Sequence, residues 1–106
     1  MTFVALEKLM FLEDGYRREF VINGVPLLLL QVEGQPKLIR NQCPHRGHAL
    51  ADGDLNGTVL RCPQHGWSFD VLSGQCRLPG PGPCLVHYPL VFDGNRIGVD
   101  SETITV

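Results

Sequence analysis

No stretch of this chain is basic enough to follow a nucleic-acid backbone. Lysine and arginine total 9 against 11 aspartates and glutamates, for a formal net charge of −2. The cations are scattered rather than gathered into a stripe, which argues against nucleic acid and against an anionic membrane surface as partners. Long apolar runs are missing too. The longest, Val25–Leu30, contains Pro26 and is far too short to span a bilayer. The opening MTFVALEKLM has Glu7 and Lys8 where a secretion signal needs its apolar core. These absences together lead us to expect a soluble, cytoplasmic protein without a membrane partner. There is no helical stripe of useful length and no linker. The only low-complexity segment is Pro79-Gly80-Pro81-Gly82-Pro83, which lacks backbone donors at three of its five positions.

What remains is a chain of 106 residues, read as one domain spanning 1–106 and long enough to bury a core without a staple. Turn signals recur at Asp14-Gly15, Asn23-Gly24, Asp52-Gly53, Asn56-Gly57, Ser73-Gly74 and Asp93-Gly94. Between them lie short stretches rich in β-branched and aromatic residues. Phe20–Ile22 and Val25–Val32 flank Asn23-Gly24 as a hairpin would. Lys37–Arg40, Thr58–Arg61, Trp67–Val71, Leu85–Phe92 and Arg96–Val99 read as further strands. Within Leu85–Phe92, the residues Val86, Tyr88, Leu90 and Phe92 recur with period two, which predicts one strand buried on one face. The fold class is therefore all-β, a small antiparallel sandwich or barrel.

Two segments interrupt this pattern, Asn41–Ala51 and Cys62–Gly66. They carry Cys43-x-His45 and Cys62-x-x-His65, with sixteen residues between His45 and Cys62. Each cysteine is followed by proline, which biases it toward extended backbone. Gly47 and Gly66 would let the loops turn tightly and leave amides free to point at sulfur. The four cysteines could instead pair as Cys43–Cys62 and Cys76–Cys84, but without a secretion signal metal binding is the better default. A structural zinc site stapling a β binding module would be one such metal. Zinc fingers, however, keep cysteines together and histidines together on a helix, whereas each loop here mixes one of each. A cysteine–histidine nucleophile would account for only half of the constellation.

C-x-H, a gap of about sixteen residues and then C-x-x-H, set in CPHRG…CPQHGWSFD, resembles the Rieske family of iron–sulfur proteins over essentially the whole chain. The resemblance implies the Rieske fold, stacked β-sheets with a cluster-binding subdomain at about residues 41–84 built from two Cys-His loops and a proline loop. It implies one [2Fe-2S] cluster per chain, with Cys43 and Cys62 on the inner iron and His45 and His65 on the outer one. Replacing two thiolates by neutral imidazoles makes such a cluster less negative, so it accepts an electron more readily. Reduction would also raise the imidazole pKa values, making the potential pH-dependent in the alkaline range.

High-potential relatives carry an extra disulfide cysteine in each loop, where this chain has His48 and Gln64. They also place a serine and a tyrosine, whose hydroxyls bond sulfur, where this chain has Trp67 and Phe69. Fewer hydrogen bonds to sulfur lower the potential. The resemblance is therefore to the low-potential ferredoxins that pass electrons from a flavin-containing reductase to a terminal oxygenase acting on aromatic or similar substrates. Such a protein is an electron-transfer component with no catalytic residues of its own, expected as a monomer. The small subunit of a nitrite reductase shares the fold and stays open as an alternative, although many of its members lack the four ligands. A redox or iron sensor is a third.

The remaining candidates carry ordinary readings beside functional ones. Trp67 would shield the cluster or serve as a core aromatic, and Pro79–Pro83 would cover the cluster. Arg46 reads as a surface residue, His87 as a strand position, and Cys76 and Cys84 as structural thiols. Asp52, Asp54 and Asp70 would form an acidic docking face or merely close turns.

Overall fold

The segment VPLLLLQV alternates between two apolar faces rather than between an apolar and a polar one, so both sides of it must be covered. In the computed structural model, which describes residues 1–44, 47–63, 66–78, 80 and 82–105, this segment is strand β3 (Val25–Val32). Val25, Leu27 and Leu29 face one buried cluster, while Leu28, Leu30 and Val32 face another. The strand lies inside a four-stranded antiparallel sheet with β2 (Arg17–Ile22), β4 (Gln35–Arg40) and β9 (His87–Tyr88), in the order β2-β3-β4-β9.

One face of this central sheet is covered by a three-stranded sheet. Its strands β1 (Phe3–Lys8), β11 (Arg96–Asp100) and β10 (Leu90–Asp93) contribute Leu6, Ile97 and Val99 to the shared core. The other face meets β5 (Asp54–Asn56), β6 (Val59–Arg61), β7 (Ser68–Asp70) and β8 (Cys76–Leu78). These strands bring Leu60, Phe69 and Cys76 against Leu28, Leu30 and Ile39. The all-β sandwich expected from the sequence is thus a stack of three antiparallel layers. Helix is limited, among the described residues, to the 3₁₀ turns Leu9–Phe11 and Ser101–Thr103. No helix among them is long and apolar enough to cross a membrane.

The Asn23-Gly24 hairpin forms as expected, with both residues left-handed at φ 52° and 77°, the geometry that matches strand twist. Glu33-Gly34 makes an equivalent turn at φ 48° and 73°, held by Asp14, whose Oδ1 accepts from the Gly34 amide at 2.8 Å. The period-two strand expected over Leu85–Phe92 does not form. Pro89 has no amide to continue a ladder, and the segment divides into β9 and β10, which belong to different sheets. Val86 is consequently 46% exposed and Phe92 60%, neither on a buried face.

Candidate metal centre

The first cysteine loop runs from β4 of the central sheet to β5 of the short-strand layer, and the second joins β6 to β7 within that layer. In the first, the Cys43 amide donates to the His48 carbonyl at 2.6 Å, and the Gly47 amide donates to the Cys43 carbonyl at 2.6 Å. In the second, the Cys62 amide donates to the Trp67 carbonyl at 2.7 Å, and the Gly66 amide to the Cys62 carbonyl at 3.2 Å. The described ends of the two loops therefore make the same pair of bonds, with Gly47 and Gly66 at φ 74° and 70°. The Gly47 and Gly66 amides close these turns on the cysteine carbonyls, so the tight turns expected at the two glycines form. The histidine is displaced by one residue between the loops, two after Cys43 and three after Cys62. His45, Arg46, Gln64 and His65 lie outside the described residues, as do Pro79, Pro81 and Val106.

The loops send both cysteine side chains inward. Cys43 and Cys62 are each 1% exposed and belong to the same apolar cluster, with Leu50, Leu60, Phe69, Val71 and Leu85. Two soft donors from two matching loops, brought together in an apolar surround, suit an iron–sulfur group better than a hard cation. The alternative pairing of Cys43 with Cys62 and Cys76 with Cys84 is not formed. Cys76 is buried at the edge of the same cluster, with its thiol 3.3 Å from the Leu78 carbonyl, whereas Cys84 is exposed.

Asn41, at the exit of β4, is the residue that sequence reasoning missed. Its side chain is 5% exposed and closes the first loop. Oδ1 accepts from the amides of Leu50 at 2.8 Å and Ala51 at 3.0 Å, and Nδ2 donates to Glu19 Oε1 at 2.8 Å. The available signal was a short amide side chain at a strand-to-loop junction, where such residues habitually bond nearby backbone. Gly53, expected only as part of the Asp52-Gly53 turn, has a second role. A Cβ there would stand 2.2 Å from the Arg61 carbonyl, so only glycine lets the base of the first loop touch the base of the second. Arg17 reinforces this junction by donating to the Gly53 carbonyl.

The other candidates resolve individually. Trp67 is half-buried and packs on the cluster that holds Cys43 and Cys62. Its Cζ3 lies 3.8 Å from where a Gly82 Cβ would sit, which sets Gly82 against the Trp67 ring. His87 stands in β9, and its Nε2 donates to the Val71 carbonyl at 2.7 Å. Asp70 closes a turn, accepting from Leu72 at 2.8 Å and Ser73 at 3.1 Å, and pairs with Arg77 at 3.5 Å. Its carboxylate serves the fold rather than a docking face.

Comparison with known proteins gives this geometry a context. A family model described as "Rieske [2Fe-2S] domain" matches residues 2–89. A Pseudomonas aeruginosa protein, the ferredoxin component of a naphthalene 1,2-dioxygenase system, is 32% identical over 79 residues, covering 74% of this chain and 76% of its own. The ferredoxin component of an alkene monooxygenase system from Xanthobacter autotrophicus is 33% identical over 92 residues, covering 86% of this chain and 75% of its own. Among solved structures, a ferredoxin of Sphingomonas yanoikuyae B1 superposes with a TM-score of 0.81 at 25% identity, covering 93% of this chain and 98% of that one.

Proposed function

The chain belongs to the Rieske [2Fe-2S] domain family, and from that membership we propose that it carries single electrons from a flavin-containing reductase to a terminal oxygenase. It is the electron-transfer component of such a system and not the enzyme that acts on the substrate. We assign Cys43 and Cys62 to the inner iron and His45 and His65 to the outer one. The observation that carries this assignment is the pair of matching loops that bury Cys43 and Cys62 in one cluster. When bound, the cluster supplies one-electron chemistry. The chain's part is to hold the two thiolates away from water, keep the loops in register through Asn41 and Gly53, and pack Trp67, with Gly82 beside it, on the cluster that holds them. The chain is taken as one domain over 1–106, acting as a cytoplasmic monomer.

Phe69 bears on the potential. It is fully buried in the cluster of Cys43 and Cys62 and brings a ring without a hydroxyl, so it cannot donate to sulfur. The expected midpoint potential is near the low end of the Rieske range, roughly −150 mV. A redox titration checks this, and a clearly positive value near neutral pH would contradict it. His45→Cys should lower the value further, because a thiolate adds negative charge at the outer iron; an unchanged spectrum and potential would remove His45 from the ligand set.

The role itself is tested by reconstitution with candidate reductases and oxygenases. The expected result is NAD(P)H-dependent oxygenase turnover that requires this chain. Delivery to a sirohaem nitrite reductase, with none to any oxygenase, would instead establish the nitrite reductase subunit.

A further inference from the structure

Arg61 ends β6 and is the immediate neighbour of Cys62, and its guanidinium lies across the second loop. A Cβ built on Gly66 would stand 2.9 Å from its Nη2 and 3.2 Å from its Nε, so the fork rests against the turn between His65 and Trp67. Gly66 has no side chain to push it away. Every other described arginine is engaged. Arg17 donates to the Gly53 carbonyl, Arg18 pairs with Glu7 and Arg40 donates to Gln42; Arg77 pairs with Asp70, and Arg96 lies over the Phe3 ring. Arg61 is exposed, and its guanidinium has no hydrogen bond, carboxylate or ring partner among the described residues. Asp54 is its ladder partner and lines the same groove, yet no ion pair spans it.

An unpaired guanidinium is a fork that can donate two parallel hydrogen bonds to a carboxylate. The whole chain is negative, so it has no general attraction for an acidic partner. A single cation at the second loop would instead orient such a partner toward that loop. We propose that Arg61 is the docking cation of this carrier, meeting a carboxylate-bearing face of the protein that exchanges electrons through the second loop. The inference rests on the reading that Cys62 and His65 hold the cluster.

The test uses inorganic oxidants of opposite charge as probes. The cluster-loaded protein is reduced with dithionite and reoxidised by ferricyanide or by hexaammineruthenium(III) at low ionic strength in a stopped-flow instrument. The ratio of the two rates cancels any change in driving force. Arg61→Gln is expected to lower the ferricyanide-to-ruthenium ratio about fivefold at low ionic strength, Arg61→Lys to keep it, and about 1 M salt to close the gap between wild type and the Gln variant. An unchanged ratio in Arg61→Gln overturns the proposal. So does a gap between wild type and Arg61→Gln that persists in salt, and Arg61→Met serves the same comparison should the Gln variant load poorly. A colourless wild-type protein would strike instead at the assigned function, so the two failures are distinct.

Discussion

Cys62→Ser is expected to give a folded protein with no visible absorption, while Cys84→Ser keeps the full spectrum. The contrast follows from where the two thiols sit. Cys62 is 1% exposed, inside the cluster that also holds Cys43, and its backbone is locked at both ends by the Cys62–Trp67 and Gly66–Cys62 hydrogen bonds. Serine would offer a protonated, harder oxygen where iron needs a soft thiolate. The cost to the fold is smaller. A hydroxyl in apolar surroundings costs about 1–3 kcal/mol, against a typical domain stability of about 5–15 kcal/mol. Far-ultraviolet circular dichroism should therefore remain that of wild type while the colour is lost. Cys84, exposed on the surface, has no such position. A fully coloured Cys62→Ser protein would refute the ligand assignment.

Asn41→Leu should lower the melting temperature by roughly 10–25 °C. Leucine has a similar volume but removes all three side-chain bonds, to Leu50, Ala51 and Glu19. The two amides are left facing apolar or partly buried surroundings, at about 1–3 kcal/mol for each unpaired donor. Because these amides close the loop that carries Cys43, the variant should also release iron faster when challenged with a chelator. Asn41→Asp separates the contributions. It retains both acceptor bonds but sets a carboxylate against Glu19, so its melting point should fall between those of wild type and the leucine variant. Thermal unfolding followed by circular dichroism decides. A leucine variant that melts within a few degrees of wild type would show that Asn41 does not hold the loop.

Much of the architecture was legible wherever a local pattern had a local cause. Asn23-Gly24 announced its hairpin because few other pairs accept two left-handed residues in succession. The Cys-His loops stood out because proline, glycine, cysteine and histidine broke the strand rhythm twice in the same way. The failures came where a residue's role depends on something distant. Strands β1, β5 and β8 are short or terminal, and pairing partners define them more than their own sequence does. Val86 to Phe92 carried a period-two pattern, but Pro89 divided it between two sheets, and periodicity alone cannot show which ladder a strand will join. Asn41 bonds amides nine and ten residues away, and Gly53 matters only because the Arg61 backbone passes beside it. The sequence supplied the proposed ligands Cys43, His45, Cys62 and His65. The residues that hold the two loops together could not be read from it, because they act through contacts that exist only in the folded molecule.

The central claim is that one [2Fe-2S] cluster is held by two cysteines and two histidines of this chain. Electron paramagnetic resonance of the reduced protein, with nitrogen hyperfine couplings resolved, tests it most directly. The expected result is a rhombic signal of low average g with couplings from two histidine nitrogens, one of which disappears in His45→Cys. A cluster signal without nitrogen couplings, or a colourless protein holding one zinc per chain, would contradict it.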